Sequence, residues 1–229
     1  MTSPKTLVAI AVVLLAAALA APSSASANAL CSGAPELKGS VLACPAGTLF
    51  EKAESVGVSE GSVTFATAVG NFECPSGSFK ATYTPVGAGV VAGFATITHD
   101  PVCKTTIFGC TTFPPQITTL VKPETEVIYV KTTDPVGNVV VTTPATEVLF
   151  KCGGNQYQCI YAGAPGELVT GNYSNSEQKL SFNTTVNRFA GPANCPAKAT
   201  FVANYKMKVE KGVVGGKAVG ESPFYIAKE

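Results

Sequence analysis

Eight cysteines constrain this chain more than any other feature of its sequence. No two of them are spaced as C-x-x-C, and the chain has a single histidine. These residues therefore do not supply the ligand set of a structural zinc site. An even number of cysteines in an exported chain predicts disulfides, in this case four. The cysteines are Cys31, Cys44, Cys74, Cys103, Cys110, Cys152, Cys159 and Cys195.

The sequence alone does not determine how the cysteines pair, because eight of them allow about a hundred connectivities. Local geometry favours pairs that bracket turns, together with one long bridge between distant parts of the sheet. We expect this long bridge to contribute most to fold stability. The expected pairs are Cys152–Cys159, Cys103–Cys110, Cys31–Cys44 and Cys74–Cys195.

The N-terminal segment has the pattern of a secretory signal peptide. Lys5 precedes an apolar run over residues 7–21, and small residues follow as far as Ala29. Two A-x-A sites fit cleavage, after Ala27 or after Ala29, and we prefer Ala29 slightly. We therefore assign residues 1–29 to the signal and 30–229 to the mature chain. The predicted protein is secreted, in the medium or at the cell surface, and keeps no membrane span.

Two alternatives for this segment are weaker. A membrane anchor needs about 20 apolar residues, and this run is shorter and rich in alanine. A lipoprotein signal places a small residue directly before the acylated cysteine, whereas Leu30 precedes Cys31. Acylation of Cys31 would also leave an odd number of thiols for disulfides.

The charge balance argues against a nucleic-acid partner. The chain has 16 basic and 15 acidic residues, and Lys5 lies in the signal, so the mature chain is formally neutral. It contains neither a basic stripe nor an acidic tail. Charged residues make up 14% of the chain, well below the roughly 25% of ordinary domains. Surface polarity must therefore come from Thr, Ser, Asn and Gln, as is usual in extracellular β proteins.

Beyond the signal, apolar residues alternate with the period of β-strands. The same alternation predicts inward rows at residues 63–69, 79–83 and 180–186. Residues 90–98, 124–132 and 138–143 are apolar on both faces, as in central strands. The clearest buried face, within residues 200–210, carries Phe201, Ala203, Tyr205, Met207 and Val209.

About ten short strands separated by Gly and Pro predict an all-β fold. The favoured architecture is a disulfide-stapled β-sandwich of immunoglobulin-like or Greek-key type. We expect one all-β domain over residues 30–229. A division near Pro114 is the alternative, because Pro114 and Pro115 cannot continue a central strand.

The sequence offers little for catalysis. Ser-His-Asp and Cys-His mechanisms need an imidazole base, and His99 is better interpreted as a solvated residue where a strand enters a turn. Glu124 and Glu126 would share one strand face, but no other acidic cluster accompanies them. The chain has no G-x-S-x-G elbow, P-loop, dinucleotide fingerprint, EF-hand or HExxH motif. We therefore expect no enzymatic activity, no cofactor and no metal.

One loop is predicted to be a recognition site. Residues 153–158 would form a tip closed by a Cys152–Cys159 bridge, which would order the loop before any ligand arrives. Amide groups and an exposed aromatic ring suit sugars or peptides. The alternative is a plain stapled turn whose tyrosine packs back onto the sheet. The predicted contact residues are Asn155, Gln156, Tyr157 and Gln158.

Five short motifs occur in a recognisable order. They are CPAGT at residues 44–48, FEC at 72–74, the Cys103 and Cys110 pair, FKC at 150–152 with Cys159, and CPAKATF at 195–201. In this order the chain resembles a group of small exported cysteine-containing β proteins of actinobacteria, which are functionally uncharacterised. The resemblance implies export, a bacterial source and disulfides. It carries over no catalytic or binding residue.

These observations favour an extracellular binding or structural module of a bacterial cell surface or secretome. The expected partner is a cell-surface glycan or protein. Two alternatives remain open. One is a carrier that holds a small apolar ligand in a β cavity, and the other is a glycan-directed enzyme.

Overall fold

The structure is a computed structural model that describes residues 28–39, 41–86, 89–99, 103–120, 125–130, 136–141, 145–162 and 169–228. The predicted signal up to Ala27 lies outside these residues. Within the described part of the chain, no helix combines the length and apolarity needed to cross a membrane.

The described residues form twenty β-strands, twice the number expected, because several predicted strands are accompanied by short neighbours of two to five residues. The strands are β1 Asn28–Cys31, β2 Glu36–Lys38, β3 Val41–Ala43, β4 Phe50–Ser59, β5 Val63–Thr67, β6 Gly70–Cys74, β7 Gly77–Val86, β8 Gly89–His99, β9 Lys104–Thr105, β10 Cys110–Leu120, β11 Thr125–Val130, β12 Val136–Val141, β13 Ala145–Cys152, β14 Asn155–Ala162, β15 Val169–Ser174, β16 Lys179–Ala190, β17 Lys198–Val214, β18 Lys217–Val219, β19 Ser222–Pro223 and β20 Tyr225–Lys228.

Sixteen strands form one antiparallel sheet that curls into a half-barrel. Their order is β10, β13, β14, β16, β15, β12, β11, β8, β7, β4, β17, β5, β6 and β9, with β18 and β19 paired to β17. β16 also pairs with β17, although the two are far apart in this order. That pairing adds to the twist of antiparallel strands and bends the sheet round on itself. The predicted all-β class is confirmed, but a two-layer sandwich is not clearly formed.

Aromatic side chains from several strands fill the core. Tyr205 of β17 packs edge-on against Phe79 of β7, with ring centroids 5.0 Å apart. Phe182 of β16 lies between Phe201 and Tyr205 of β17, at centroid distances of 5.4 and 6.3 Å. The β16–β17 pairing therefore brings together the rings that the curled sheet buries.

The alternation predicted for residues 200–210 is confirmed. Ala203, Tyr205, Met207 and Val209 are buried and Phe201 is half-buried, whereas Lys206 and Lys208 are exposed. The row predicted on β7 is buried as well, and so is the row on β16 except for Thr184, which is half-buried. Strict alternation located these strands because each has one face against the core and one against water.

The two ends of the described chain pair with each other. β1 runs antiparallel to β20, with Ala29 opposite Ala227 and Leu30 opposite Ile226. The buried Asn175 side chain fixes β20, since its Nδ2 donates to the Ile226 carbonyl at 2.8 Å and its Oδ1 accepts from the Ile226 N–H at 2.9 Å.

Pro114 and Pro115, the linker of the two-domain alternative, both lie inside β10. The register of β10 against β13 shifts between Thr112 and Ile117, and β10 stands at one end of the strand order. An edge position and an irregular register are the places where a strand tolerates proline. The single domain and its division near Pro114 stay predictions.

Candidate functional site

All eight cysteines are joined in four disulfides. One expected pair, Cys31–Cys44, is confirmed. The other three expected pairs are wrong. The observed bridges are Cys31–Cys44, Cys74–Cys103, Cys110–Cys152 and Cys159–Cys195.

The reason lies in which strands are neighbours. Cys110 stands directly opposite Cys152 in the register of β10 and β13, with their Cα atoms 4.1 Å apart. Cys74 and Cys103 are next to a paired position of β6 and β9, and their Cα atoms are 4.0 Å apart. Strand pairing, and not closeness in the sequence, therefore determines which of these cysteines form disulfides.

The expected Cys152–Cys159 bridge fails on the geometry of its hairpin. Cys152 faces Asn155 across β13 and β14, whereas Cys159 faces Val148. The two cysteines thus occupy different levels of the hairpin, beyond the roughly 4.4–6.8 Å between Cα atoms that a disulfide requires.

Two disulfides flank a tight turn at residues 106–109. The turn connects β9 to β10, the strands at the two ends of the strand order. The Cys74–Cys103 bridge lies before it and the Cys110–Cys152 bridge after it. We call this turn, together with the neighbouring turns at residues 68–69 and 153–154, the junction.

Backbone hydrogen bonds hold the junction together. The Thr106 N–H donates to the Asn71 carbonyl, and the Asn71 N–H donates to Thr106 Oγ1, both at 2.9 Å. Within the turn, the Cys110 N–H donates to the Ile107 carbonyl at 3.1 Å. The Gly153 N–H reaches the Gly109 carbonyl at 3.4 Å. The turn at 106–109 is thereby tied to β6 on one side and to the turn between β13 and β14 on the other.

Two exposed apolar side chains belong to the junction. Phe108, within the 106–109 turn, is 100% exposed, while the adjacent Ile107 packs against the core. Val69 is 59% exposed, which makes the inward row predicted for residues 63–69 wrong at this position. β5 ends at Thr67, and the Thr67 hydroxyl donates to the Gly70 carbonyl at 2.5 Å, so Val69 lies in a turn instead of a strand.

The predicted contact residues lie on a strand, not on a loop tip. The turn consists only of Gly153 and Gly154, whose φ angles of 55° and 87° suit a two-residue hairpin. Asn155 and Gln158 are exposed on β14, and the Gln156 side chain lies outside the described part of the structure. The predicted tip geometry is therefore wrong, and ligand binding by these residues stays a prediction.

Tyr157 of this set is half-buried and packs against the core. Its hydroxyl accepts a hydrogen bond from Asn194 Nδ2 at 3.2 Å. Asn194 belongs to the loop at residues 191–197, which the Cys159–Cys195 bridge fastens to β14. Tyr157 therefore packs back onto the sheet, as the alternative interpretation of this segment expected.

Arg188 organises the same loop. Its Nη1 donates to the carbonyls of Pro192, Ala193 and Cys195 at 3.0, 3.3 and 2.6 Å. Burial raises the pKa of the nearby Tyr161 to about 12, although the positive charge of Arg188 opposes that rise. The guanidinium therefore serves to fix the loop.

A separate cleft of about 240 Å³ lies beside the paired chain ends. It opens to solvent, and its lining includes Pro35, Leu42 and Tyr225. The Tyr225 hydroxyl accepts a hydrogen bond from Gln178 Nε2 at 3.3 Å. The cleft is smaller than the roughly 300–1,000 Å³ of typical ligand pockets.

The candidates for catalysis are not brought together where the structure describes them. His99 is the last residue of β8, at the strand end where the sequence placed it. Glu126 lies on β11, and Glu124 falls outside the described residues. Among the residues that the structure describes, no group of three His, Cys, Asp or Glu side chains could hold a metal ion.

Sequence reasoning missed Phe108, Val69 and Arg188. Phe108 belongs to no alternating row, whereas Val69 continues the row of β5 although β5 ends at Thr67. Only the pairing of β6 with β9 shows that their turns are neighbours. The single arginine of the chain was a usable signal, because a guanidinium has five N–H donors and can bind several carbonyls at once.

No protein-family model, curated protein or solved structure matches this chain.

Proposed function

We propose that the chain is a non-catalytic, exported binding module whose recognition surface is the junction. Its partner would be a glycan of the bacterial cell surface, with Phe108 as the central contact. Four disulfides indicate an oxidising environment, and export to the cell surface or the medium is part of this proposal.

The full exposure of Phe108 carries the proposal. A single exposed apolar residue is common on protein surfaces and says little by itself. Phe108 differs in its setting, because the turn that holds it is fixed by a disulfide on each side and by backbone hydrogen bonds. A contact surface that is ordered before binding loses less entropy when the ligand arrives.

Polar residues in and beside the junction turns favour a sugar. Exposed, uncharged side chains that offer amide or hydroxyl groups there are those of Asn71, Thr106, Thr111 and Asn155. Such groups both donate and accept hydrogen bonds, as hydroxyl-rich ligands require. The ring supplies a flat apolar face for the C–H side of a sugar. The junction therefore combines the two kinds of contact that a glycan needs.

The described cleft beside Tyr225 gives less support to a carrier of small apolar molecules. A carrier would need a closed apolar cavity of several hundred Å³, whereas this cleft is open and has about 240 Å³. Binding through rigid surface turns is the function that the described geometry supports best.

The test compares two exposed phenylalanines. Phe108→Ser removes the junction ring, and Phe189→Ser removes a ring that is 69% exposed on β16. Binding to purified bacterial cell walls is measured by co-sedimentation, binding to defined sugars on a glycan array, and folding by circular dichroism. We expect the wild type to bind, Phe108→Ser to lose at least about tenfold in affinity, and Phe189→Ser to bind like the wild type.

Two results would count against the proposal. If folded Phe108→Ser binds as well as the wild type, the junction is not the recognition surface. If the wild type binds neither cell walls nor any arrayed glycan, the proposed ligand class is wrong.

A further inference from the structure

We propose that the precursor is cleaved between Ala27 and Asn28, and that the mature chain starts at Asn28 without a lipid. The proposal rests on the export that is part of the proposed function. It reverses the slight preference of the sequence for cleavage after Ala29. Hydrolysis of this one peptide bond consumes a water and leaves a carboxylate on Ala27 and a free amino group on Asn28.

The first argument is strand pairing. β1 includes Asn28 and Ala29, which pair with Lys228 and Ala227 of β20. Cleavage after Ala29 would remove half of this four-residue strand and leave its partners in β20 without a neighbour. Cleavage after Ala27 keeps all four of the strand residues that the structure describes.

The second argument is burial. Ala29 is 4% exposed and belongs to a small cluster with Ala227 and the Cys31–Cys44 bridge. Ala227 and Cys31 are fully buried there. Removing Ala29 would expose the apolar surface of both, so Ala29 behaves as a residue of the folded protein and not as the end of a discarded leader.

The third argument concerns the lipoprotein alternative. Acylation of Cys31 would consume its sulfur, and this sulfur is already bonded to Cys44. A lipoprotein would also start at Cys31, and all of β1 before it would then be lost. The bridge and the strand therefore agree on cleavage further upstream.

The sequence is compatible with either site. Cleavage after Ala27 uses Ala25 and Ala27 as the small residues before the bond, and cleavage after Ala29 uses Ala27 and Ala29. Only the contacts of β1 distinguish the two.

The primary test is the intact mass and N-terminal sequence of the exported protein, produced from the full precursor. We expect a chain that starts at Asn28, with no acyl mass. A start at Leu30 would overturn the proposal, and an acylated Cys31 would overturn it as well. A precursor that stays uncleaved inside the cell would instead refute export, which separates the two proposals.

A second measurement tests the structural argument directly. The chains 28–229 and 30–229 are each exported behind the same unrelated leader and unfolded in urea. We expect the shorter chain to unfold at a lower urea concentration or to fail to accumulate. Equal midpoints would show that Asn28 and Ala29 contribute nothing to the fold, and the basis for choosing Ala27 would be lost.

Discussion

The β16–β17 strand pair and the junction are held in place by different interactions. β17 pairs with β16 along one side and with β4 and β5 along the other, and it buries Tyr205, Met207 and Val209. The junction leaves Phe108 and Val69 in solvent and is held by two disulfides and a few backbone hydrogen bonds. Covalent bonds thus fix a surface that has little apolar burial of its own.

The comparison explains how this protein can present an exposed aromatic ring. Burying one large apolar side chain stabilises a fold by about 1.5–3 kcal/mol, and the junction forgoes that contribution for Phe108. A disulfide that closes a loop of several tens of residues contributes about 4 kcal/mol in the chain-entropy description. The bridges therefore offset what the exposed residues do not supply.

The largest effect is expected from removing a junction bridge. The paired change Cys110→Ser and Cys152→Ser opens a loop with a sequence separation of 42. It should lower the free energy of unfolding by about 4 kcal/mol, measured by urea denaturation. The matched control is the Cys31→Ser and Cys44→Ser pair, whose separation of 13 predicts a loss of about 3 kcal/mol. A greater loss from the control would show that the junction is not where the bridges matter most.

The next effect on stability concerns the buried face of β17. Tyr205→Ala should lower the free energy of unfolding by about 2–4 kcal/mol, because it leaves a cavity beside Phe79 and Phe182. Lys206→Ala, at the adjacent exposed position, should change it by less than about 0.5 kcal/mol. Similar losses from the two variants would contradict the assignment of faces on β17.

The third expected effect is a loss of stability at high pH, and it is absent at neutral pH. Burial raises the pKa of Tyr83 to about 12 and the pKa values of Tyr173 and Tyr205 well above the usual range. In the unfolded chain these groups ionise near pH 10. Their stabilising contribution is therefore complete below about pH 10 and is lost as the pH rises through the folded values, at about 1.4 kcal/mol per pH unit for each tyrosine.

Phenolate absorbance checks this prediction. The junction contains no tyrosine, so the titration reports on the core. The buried tyrosines should titrate above pH 10 and together with unfolding. If all seven tyrosines of the chain ionised near pH 10 in the folded protein, the core would be more open to water than the structure indicates.

Sequence reasoning succeeded where one physical rule determined the structure. Alternation located β7, β16 and β17, because each has one face buried and one face wet. It failed at Val69, which continues the alternation but follows the end of β5. The disulfides beyond Cys31–Cys44 could not be derived, since β9 and β10 meet β6 and β13 only through long-range pairing. Phe108 was missed for the same reason.

Disulfide mapping tests the existence of the junction most directly. The purified protein is digested without reductant and its linked peptides are identified by mass spectrometry. The structure predicts peptides that join Cys74 to Cys103 and Cys110 to Cys152. A direct bridge between Cys103 and Cys110 would contradict the account, because the 106–109 turn would then close on itself and no longer be tied to β6 and β13.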